Sequence, residues 1–569
     1  MSSAQHRSLP PTRHRRRRVA LLAALLVTVG CSNDGDGNGG NTAIRADRLG
    51  EVTESGLSED AKPMRGGQLV YGIEAESGDY CLTSAEIAAA GMQVVRAVYD
   101  PIVIPDSDGR YQPYLAKSVE PSADYKTWTI TLKPDITFHD GTTLDATVLK
   151  NNLDAYRGTY PGRSSLLFAF ALENIAAVTV VDELTVRVTT TVPWVAFPAA
   201  LYASGRLGVL AQSQLDASQE SCETEPVGTG PFRFVSWSPG KSLKVVRNPD
   251  YWQLAPDGKP YPYLNAIDFR PVESSHERLT SLVRGDLNML HTSEEGDLAE
   301  TVPNMQADGL ANALISDDFT ETSYIMLNVR QAPFDRREAR VALAQAIDRD
   351  RINEEANKGV ATPADGPFSP GVMGYVEDTD RPEYDPAAAK KAVATLKAAG
   401  VDPTLRFLAT VEPAVIRSSL IAIEMLRDAG FTVELETVTQ DELISRVLAG
   451  DFEAAAFRNQ PGDDPDMNHL WWYGEGNPVN FAGFDDPVIN EALDAGRSEP
   501  DPEKRRAHYE TIHRRMASEV YYYYEWYVPW AVVEAPNVHG ILGPTLPSGD
   551  EPTTRLANGH AVHGIWIDS

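Results

Sequence analysis

Residues 405–457 read LRFLATVEPAVIRSSLIAIEMLRDAGFTVELETVTQDELISRVLAGDFEAAAF, and the switching apolar period of this stretch decides the fold class. Residues 405–411 form a short apolar run and predict a strand. Residues 414–429 change to a helical period and stop at Gly430, the residue type that most readily ends a helix. Residues 431–438 return to a strand. Thr439, with Glu442 three positions on, reads as a capping box opening a helix to Leu448. Residues 452–457 are a third strand. Such strand–helix alternation predicts a parallel sheet covered by helices. In these sheets ligands bind beyond the carboxyl ends of the strands. The loop expected past the last strand is Arg458-Asn459-Gln460-Pro461-Gly462-Asp463-Asp464-Pro465-Asp466, so topology marks it as a candidate site.

The same reading extends outward. Asp385-Pro386, residues 387–399 and Gly400 make a punctuated helix, with Asp as N-cap and Pro at the first helical position. Residues 337–358 carry one helical period ending at Gly359. The first half is richer in strands: 68–73, 128–132, a hairpin over 178–189 turning at Asp182-Glu183, then 243–247 and 267–270. Asp145 caps a helix running to Tyr156. A chain of 569 residues exceeds one hydrophobic core and predicts two or three domains.

Residues 1–30 stand apart. Arg7, Arg13 and Arg15 to Arg18 precede an apolar run, 19–30, shorter than the ~20 residues a spanning helix needs. This order predicts a secretory signal peptide, and the paired arginines leave the folded-export route open. In Val29-Gly30-Cys31 a small residue precedes a Cys, the pattern of a lipidated N-terminus. Cys31 is therefore the expected lipidation site and membrane anchor, although Thr28 stands where Leu is commonest. Residues 31–62 begin Cys31-Ser32-Asn33-Asp34-Gly35-Asp36-Gly37 and are too polar to pack. They predict a flexible tether reaching roughly 30 Å by flexible-chain scaling. The net charge of −30 opposes binding to nucleic acid and anionic headgroups and suits cationic or zwitterionic ligands. Setting Cys31 aside, Cys81 and Cys222 remain. An even remainder in an oxidising compartment predicts one disulfide, with a reactive thiol as the alternative.

Three aspartates, Asp463, Asp464 and Asp466, fall within four positions, after Arg458 and Asn459 and before Trp471, Trp472 and Tyr473. A carboxylate held in a cleft pairs with a ligand ammonium through charge-assisted hydrogen bonds. Aromatic walls add apolar and cation–π contact. The alternatives are an Asp-rich turn and a calcium loop, whose full ligand pattern is missing. Gly228-Thr229-Gly230-Pro231-Phe232 lacks the Lys-Ser/Thr of a phosphate loop and reads as a tight backbone crossing. His139-Asp140 sits in a turn, where adjacent residues rarely orient each other as a catalytic pair. The eleven His fall in no metal-binding spacing, and no nucleophile, base and orienter are assembled. No catalytic residue, metal or cofactor is expected, and the chain reads as a binder, not an enzyme. Tyr521-Tyr522-Tyr523-Tyr524-Glu525-Trp526-Tyr527 predicts a strand with rings alternating between core and cleft.

Five segments follow one another behind the tether. They are Val98-Tyr99-Asp100-Pro101-Ile102, Phe138-His139-Asp140-Gly141, Pro226-Val227-Gly228-Thr229-Gly230-Pro231-Phe232, Arg247-Asn248-Pro249-Asp250-Tyr251-Trp252 and Tyr384-Asp385-Pro386. In this order they resemble the solute-binding protein family 5, the extracytoplasmic peptide-, dipeptide- and nickel-binding components of ABC transporters. The resemblance implies an α/β fold of the type II periplasmic-binding-protein kind, two lobes with a hinge plus an inserted domain. Residues 63–105, 225–325 and 525–569 would form domain I, 106–224 the inserted domain II and 326–524 domain III. It further implies that Asp464, directly before Pro465, anchors a peptide's α-amino group, with Asp463 next in order. Asp466, Asn459, Arg458, Trp471 and Trp472 would complete the site. The implied partners are a peptide or other small solute, ABC permease subunits and, through Cys31, the extracytoplasmic face of the cell membrane. A monomer is expected. An oligosaccharide, opine or metal chelate is the alternative cargo, and a secreted hydrolase the alternative class.

Overall fold

The computed structural model describes residues 62–568, apart from 86, 88, 166, 167, 460, 461, 463 and 475 and the side chains of 317–320 and 459. The expected signal peptide, Cys31 and the tether up to residue 61 lie outside the described residues. The main strands, in chain order, are β1 (Gln68–Ile73), β2 (Ala116–Pro121), β3 (Thr127–Leu132), β4 (Ile175–Val180), β5 (Thr185–Thr190), β6 (Phe232–Ser238) and β7 (Ser242–Arg247). They continue with β8 (Ala266–Pro271), β9 (Met289–Thr292), β10 (Asn312–Leu327), β11 (Thr404–Thr410), β12 (Thr432–Val438), β13 (Ala454–Asn459) and β14 (Tyr522–Glu534). The main helices are α1 (Ala146–Tyr156), α2 (Arg337–Ala346), α3 (Arg349–Asn357), α4 (Pro386–Ala398), α5 (Pro413–Ala429), α6 (Gln440–Ala449), α7 (Pro487–Ser498) and α8 (Pro502–Glu519).

One large sheet runs in the order β12-β11-β13-β10-β14-β9-β1-β8-β7-β6. β11 pairs in parallel with β12 and β13, as the alternation in 405–457 predicts. A second parallel group forms where β1 pairs with β8 and β9. The long strands β10 and β14 lie between the two groups and run antiparallel to each other. A separate antiparallel sheet, β2-β3-β5-β4, sits within residues 116–190. In β3 the apolar Trp128, Ile130 and Leu132 are buried while the threonines between them are half-buried, the period of a sheet with one packed face.

Local signals account for the helix ends. The Thr439 hydroxyl accepts from the Glu442 amide at the start of α6. The Asp385 carboxylate accepts from the Ala388 amide at the start of α4, and Asp145 caps α1. α5 stops at Gly430, whose φ of 104° carries the chain out of the helix. Its apolar stripe, including Ala422, Ile423 and Leu426, is buried with α2, α4 and the strands β11 and β13. Truncating one such leucine to alanine costs about 2–5 kcal/mol.

Two boundaries differ from expectation. The single helix predicted over 337–358 is two, α2 and α3, broken at Ile347-Asp348. The Asp348 carboxylate accepts from the Arg351 amide at 3.1 Å, so its side chain starts a new helix instead of continuing the old one. The strand predicted to end at Phe457 continues as β13 to Asn459, with Arg458 opposite Ser323 and Asn459 opposite Thr322. Arg458 is therefore held on a strand, not a loop.

Cys81 and Cys222 are joined in a disulfide across 141 residues, with Cα atoms 5.0 Å apart. Gly228 and Gly230 cross the backbone of Val98 so closely that a Cβ at either would lie 2.2 Å from its carbonyl oxygen or 2.5 Å from its carbonyl carbon. The tight crossing read from the sequence is thus present. No described helix is long and apolar enough to cross a membrane.

Candidate ligand-binding cavity

A cavity of about 260 Å³ opens where the parallel strands end. Glu74 and Ala75 enter it just after β1, Ser293 to Glu295 just after β9, Val411 and Glu412 just after β11. Phe457 and Arg458 come from the end of β13. The first turns of α5 and α6 add Val415 and Leu443, and the crossing strands add Glu321, Tyr522, Glu525 and Trp526. Both parallel groups therefore present their carboxyl ends to one space, where unpaired backbone and side chains converge on a ligand.

Arg458 organises the polar part. Its guanidinium donates to Ser293 Oγ at 2.6 Å and to Glu74 Oε1 at 3.1 Å, and lies 3.7 Å from Glu321 Oε2. Trp530 Nε1 donates to the same Glu321 oxygen at 2.9 Å. Burial alone would pull Arg458 down, but Glu321, Glu74, Glu294 and Glu295 outweigh it and hold the side chain well above the usual arginine range. Burial likewise pushes Glu74 up, yet Arg458, His291 and Arg278 bring it below the usual carboxylate range. Arg278 also lines the cavity, 3.9 Å from Glu74 Oε2. It donates to the carbonyls of Val272, Glu273 and His291 at 2.6–3.1 Å.

The other acids have no cation of their own. Burial, with Glu295 and Glu412 nearby, pushes Glu294 up to about 8. Burial raises Glu295 to about 7. Glu525 is 8 % exposed and accepts only from Ser323 Oγ, at 3.1 Å, among the described hydrogen bonds. Burial lifts it to about 7. The site can thus exchange protons with water near neutral pH, and it favours a bound positive charge over an empty, fully ionised state.

The sequence-predicted residues divide into two groups. Arg458 and Trp471 line the cavity, the latter with its ring 5.6 Å from that of Phe481. Trp472 is buried beside Phe368, ring centroids 5.7 Å apart, and is not in the cavity wall. Asp463 and the Asn459 side chain lie outside the described residues. Asp464 and Asp466 belong to a different constellation. The chain turns at Pro465–Asn468, with the Asp464 carboxylate accepting from the Asp466 amide. Arg505 closes on Asp464 with two hydrogen bonds, 2.9 and 2.5 Å. Arg497 Nε donates to Asp466 at 3.0 Å and Trp194 Nε1 to its other oxygen at 2.8 Å. Burial pushes Asp466 up, but Arg497 outweighs it and the carboxyl sits below its usual range. The partner of the Asp464 carboxylate in this structure is Arg505 from α8. The turn brings Asp464 to Arg505 on α8 and Asp466 to Arg497 on α7.

His139 and Asp140 are also structural. His139 Nε2 meets the Gly230 carbonyl at 2.9 Å, and Asp140 accepts from Thr142 and Ser213. No group of three or more His, Cys, Asp or Glu among the described residues could hold a metal ion. Sequence reasoning missed Glu74, Glu294, Glu295, Glu321 and Glu525. A signal was present for three of them. Glu74 directly follows β1, and Glu294 and Glu295 follow β9, so the strand-end rule applied to the first half of the chain would have marked them.

Comparison with known proteins places this geometry. Over 317 residues the chain is 32% identical to the glutathione-binding protein GsiB of Pectobacterium atrosepticum, covering 54% of this chain and 56% of that one. Similar glutathione-binding proteins from Salmonella and Escherichia coli match over a similar span at 30–32% identity. The chain thus spans about half the length of these curated relatives. Among solved structures, the binding protein AgaA of A. tumefacien R10 in complex with agropinic acid superposes with a TM-score of 0.77 at 24% identity, over 88% of this chain and 99% of that one. DppA of Helicobacter pylori in complex with the peptide STSA gives 0.75 at 21%, over 89% and 99%. These two share the fold, a type II periplasmic binding protein. The profile of bacterial extracellular solute-binding proteins, family 5 Middle, matches residues 110–481. The chain belongs to the bacterial extracellular solute-binding proteins of family 5.

Proposed function

We propose that this chain is the solute-capturing component of an ABC importer, working outside the cytoplasm, and that its cargo is a peptide or peptide-like solute bearing an ammonium group. The observation that carries the reading is the cavity at the converging strand ends, lined both by glutamates without an ion-pair partner among the described residues and by apolar side chains. The named ligand of the curated relatives, glutathione, is itself peptide-like. The ammonium would be held by the cavity glutamates, not by Asp464, with Trp471 walling the site. Two lobes, divided at the boundaries expected from the sequence, would close over the solute about the crossing strands β10 and β14. The role is capture and delivery, so no turnover of peptides or esters is expected.

Cys31 would carry the lipid that keeps the protein at the cell membrane. Intact-mass analysis of the membrane-extracted protein should give a lipid-modified N-terminus at Cys31, and Cys31→Ser should release the protein into the soluble fraction. The cargo is tested by calorimetry with short peptides, together with native mass spectrometry of the solute that co-purifies. Measurable binding of a peptide supports the reading. A co-purifying sugar or metal chelate, with no peptide binding, overturns the cargo, and peptide hydrolysis abolished by one substitution overturns the capture role.

A further inference from the structure

We infer that the cavity selects solutes carrying two cationic groups, amine or guanidine, on an apolar frame, and that Glu294, Glu295 and Glu525 set this choice. The inference rests on the capture reading above and names its substrate class.

The charge of the cavity wall is lopsided. Seven glutamates line it against three arginines, with no lysine or histidine. The arginines are already committed. Arg458 serves Glu74 and Glu321. Arg278 serves three backbone carbonyls. Arg206 donates through Nε to the Ile87 carbonyl at 3.0 Å, and its charge acts on Glu321. Glu294, Glu295 and Glu525 are left without an ion-pair partner among the described residues.

These three form one site. All three line the same cavity, and Glu295 adds to the proton affinity of Glu294 and of Glu525. Glu525 owes its place to a bulge. Ser323 pairs with Trp526 while Tyr324 pairs with Tyr524, leaving Glu525 as the extra residue between them. A bulge re-aims a side chain beside a functional site, and here it sets a buried carboxylate into the cavity wall with one hydroxyl for company. Burying a carboxylate without a partner is costly. A single ligand charge would compensate one of the three and leave two without a counter-charge. Two charges, as in the α-ammonium and side chain of an N-terminal Lys or Arg, compensate two of the three, and the third stays protonated, since burial raises all three. The apolar lining, including Val415, Leu443, Ile444, Trp471 and Phe481, takes the apolar remainder.

The test is calorimetry on the ligand-stripped full-length protein with Lys-Phe, Leu-Phe and Glu-Phe, and with an aryl-substituted diamine as a non-peptide dication. Lys-Phe should bind at least about tenfold more tightly than Leu-Phe, and Glu-Phe most weakly. Parity of the diamine with Lys-Phe assigns recognition to the two charges, and a preference for Lys-Phe assigns part of it to the peptide backbone; both support the inference. Glu294→Gln with Glu295→Gln, and separately Glu525→Gln, should shrink the Lys-Phe preference to less than about threefold. These variants remove like-charge repulsion, so their melting temperatures should equal or exceed that of the parent. Equal affinity for Lys-Phe and Leu-Phe, or a preference that survives all three substitutions, overturns the inference and leaves the capture reading standing. So does failure of every dication to bind while another solute co-purifies.

Discussion

Arg458 is the residue on which the cavity turns. It supplies the one guanidinium that reaches both Glu74 after β1 and Glu321 on β10. Arg458→Gln should weaken solute binding at least about tenfold, because Ser293, Glu74 and Glu321 lose the guanidinium that ties the strand ends together and fixes the shape of the cavity. Calorimetry with the co-purified solute checks this. Asp466 makes the opposite prediction. Its side chain and that of Arg497 are 1% and 5% exposed, and breaking a buried pair from one side costs about 3–5 kcal/mol. Asp466→Asn should lower the denaturant midpoint by a matching amount while solute affinity stays within about threefold. Asp464→Asn should behave alike but more mildly, since its carboxylate is 18% exposed. Loss of binding at unchanged stability in Asp464→Asn would return the ammonium role to that residue.

Among the elements, the segment after β1 is the one most dependent on a distant tie. Ile87, Ala89 and Ala90 form part of the cavity wall, and the Cys81–Cys222 bond holds the chain just before them. Closing so long a loop is worth about 3–5 kcal/mol in the chain-entropy account. Cys81→Ser with Cys222→Ser should lower the melting temperature and speed amide exchange over residues 74–91, with a weaker affinity for solute as the wall loosens. Exchange unchanged in that segment would show that packing alone holds it. β13 shows how an element boundary decides chemistry. Two residues of extra strand turn Arg458 from a loop side chain into one fixed between β10 and β11.

Across the whole molecule, solute binding and protons are linked. The charges acting on Glu294, Glu295 and Glu525 include Arg458, Arg278, Glu74, Glu321 and Glu412, with Arg349 and the Ser323 hydroxyl acting on Glu525. Glu294 is raised to about 8, and Glu295 and Glu525 to about 7. A raised carboxyl is neutral below its pKa and ionised above it. A cationic solute favours the ionised form, so affinity should rise between about pH 6 and pH 8.5, with protons released on binding at neutral pH. Calorimetry in two buffers of different ionisation enthalpy measures that release, and proton uptake would contradict the assignment. Much of this molecule is legible in its sequence. The strand–helix period of 405–457, the caps at Asp145, Asp385 and Thr439, the crossing at Gly228 and Gly230 and the pairing of two cysteines follow from local physics or simple counting. The rule that ligands sit past strand ends placed Arg458 at the site. Tertiary structure alone decided which acids line the cavity. Glu74, Glu294, Glu321 and Glu525 come from four strands or their ends, far apart in the chain, and meet only once β10 and β14 bring two parallel groups together. It also decided that Asp464 and Asp466 point inward, because a side chain's partner is set by the turn that carries it and by helices that arrive later in the chain.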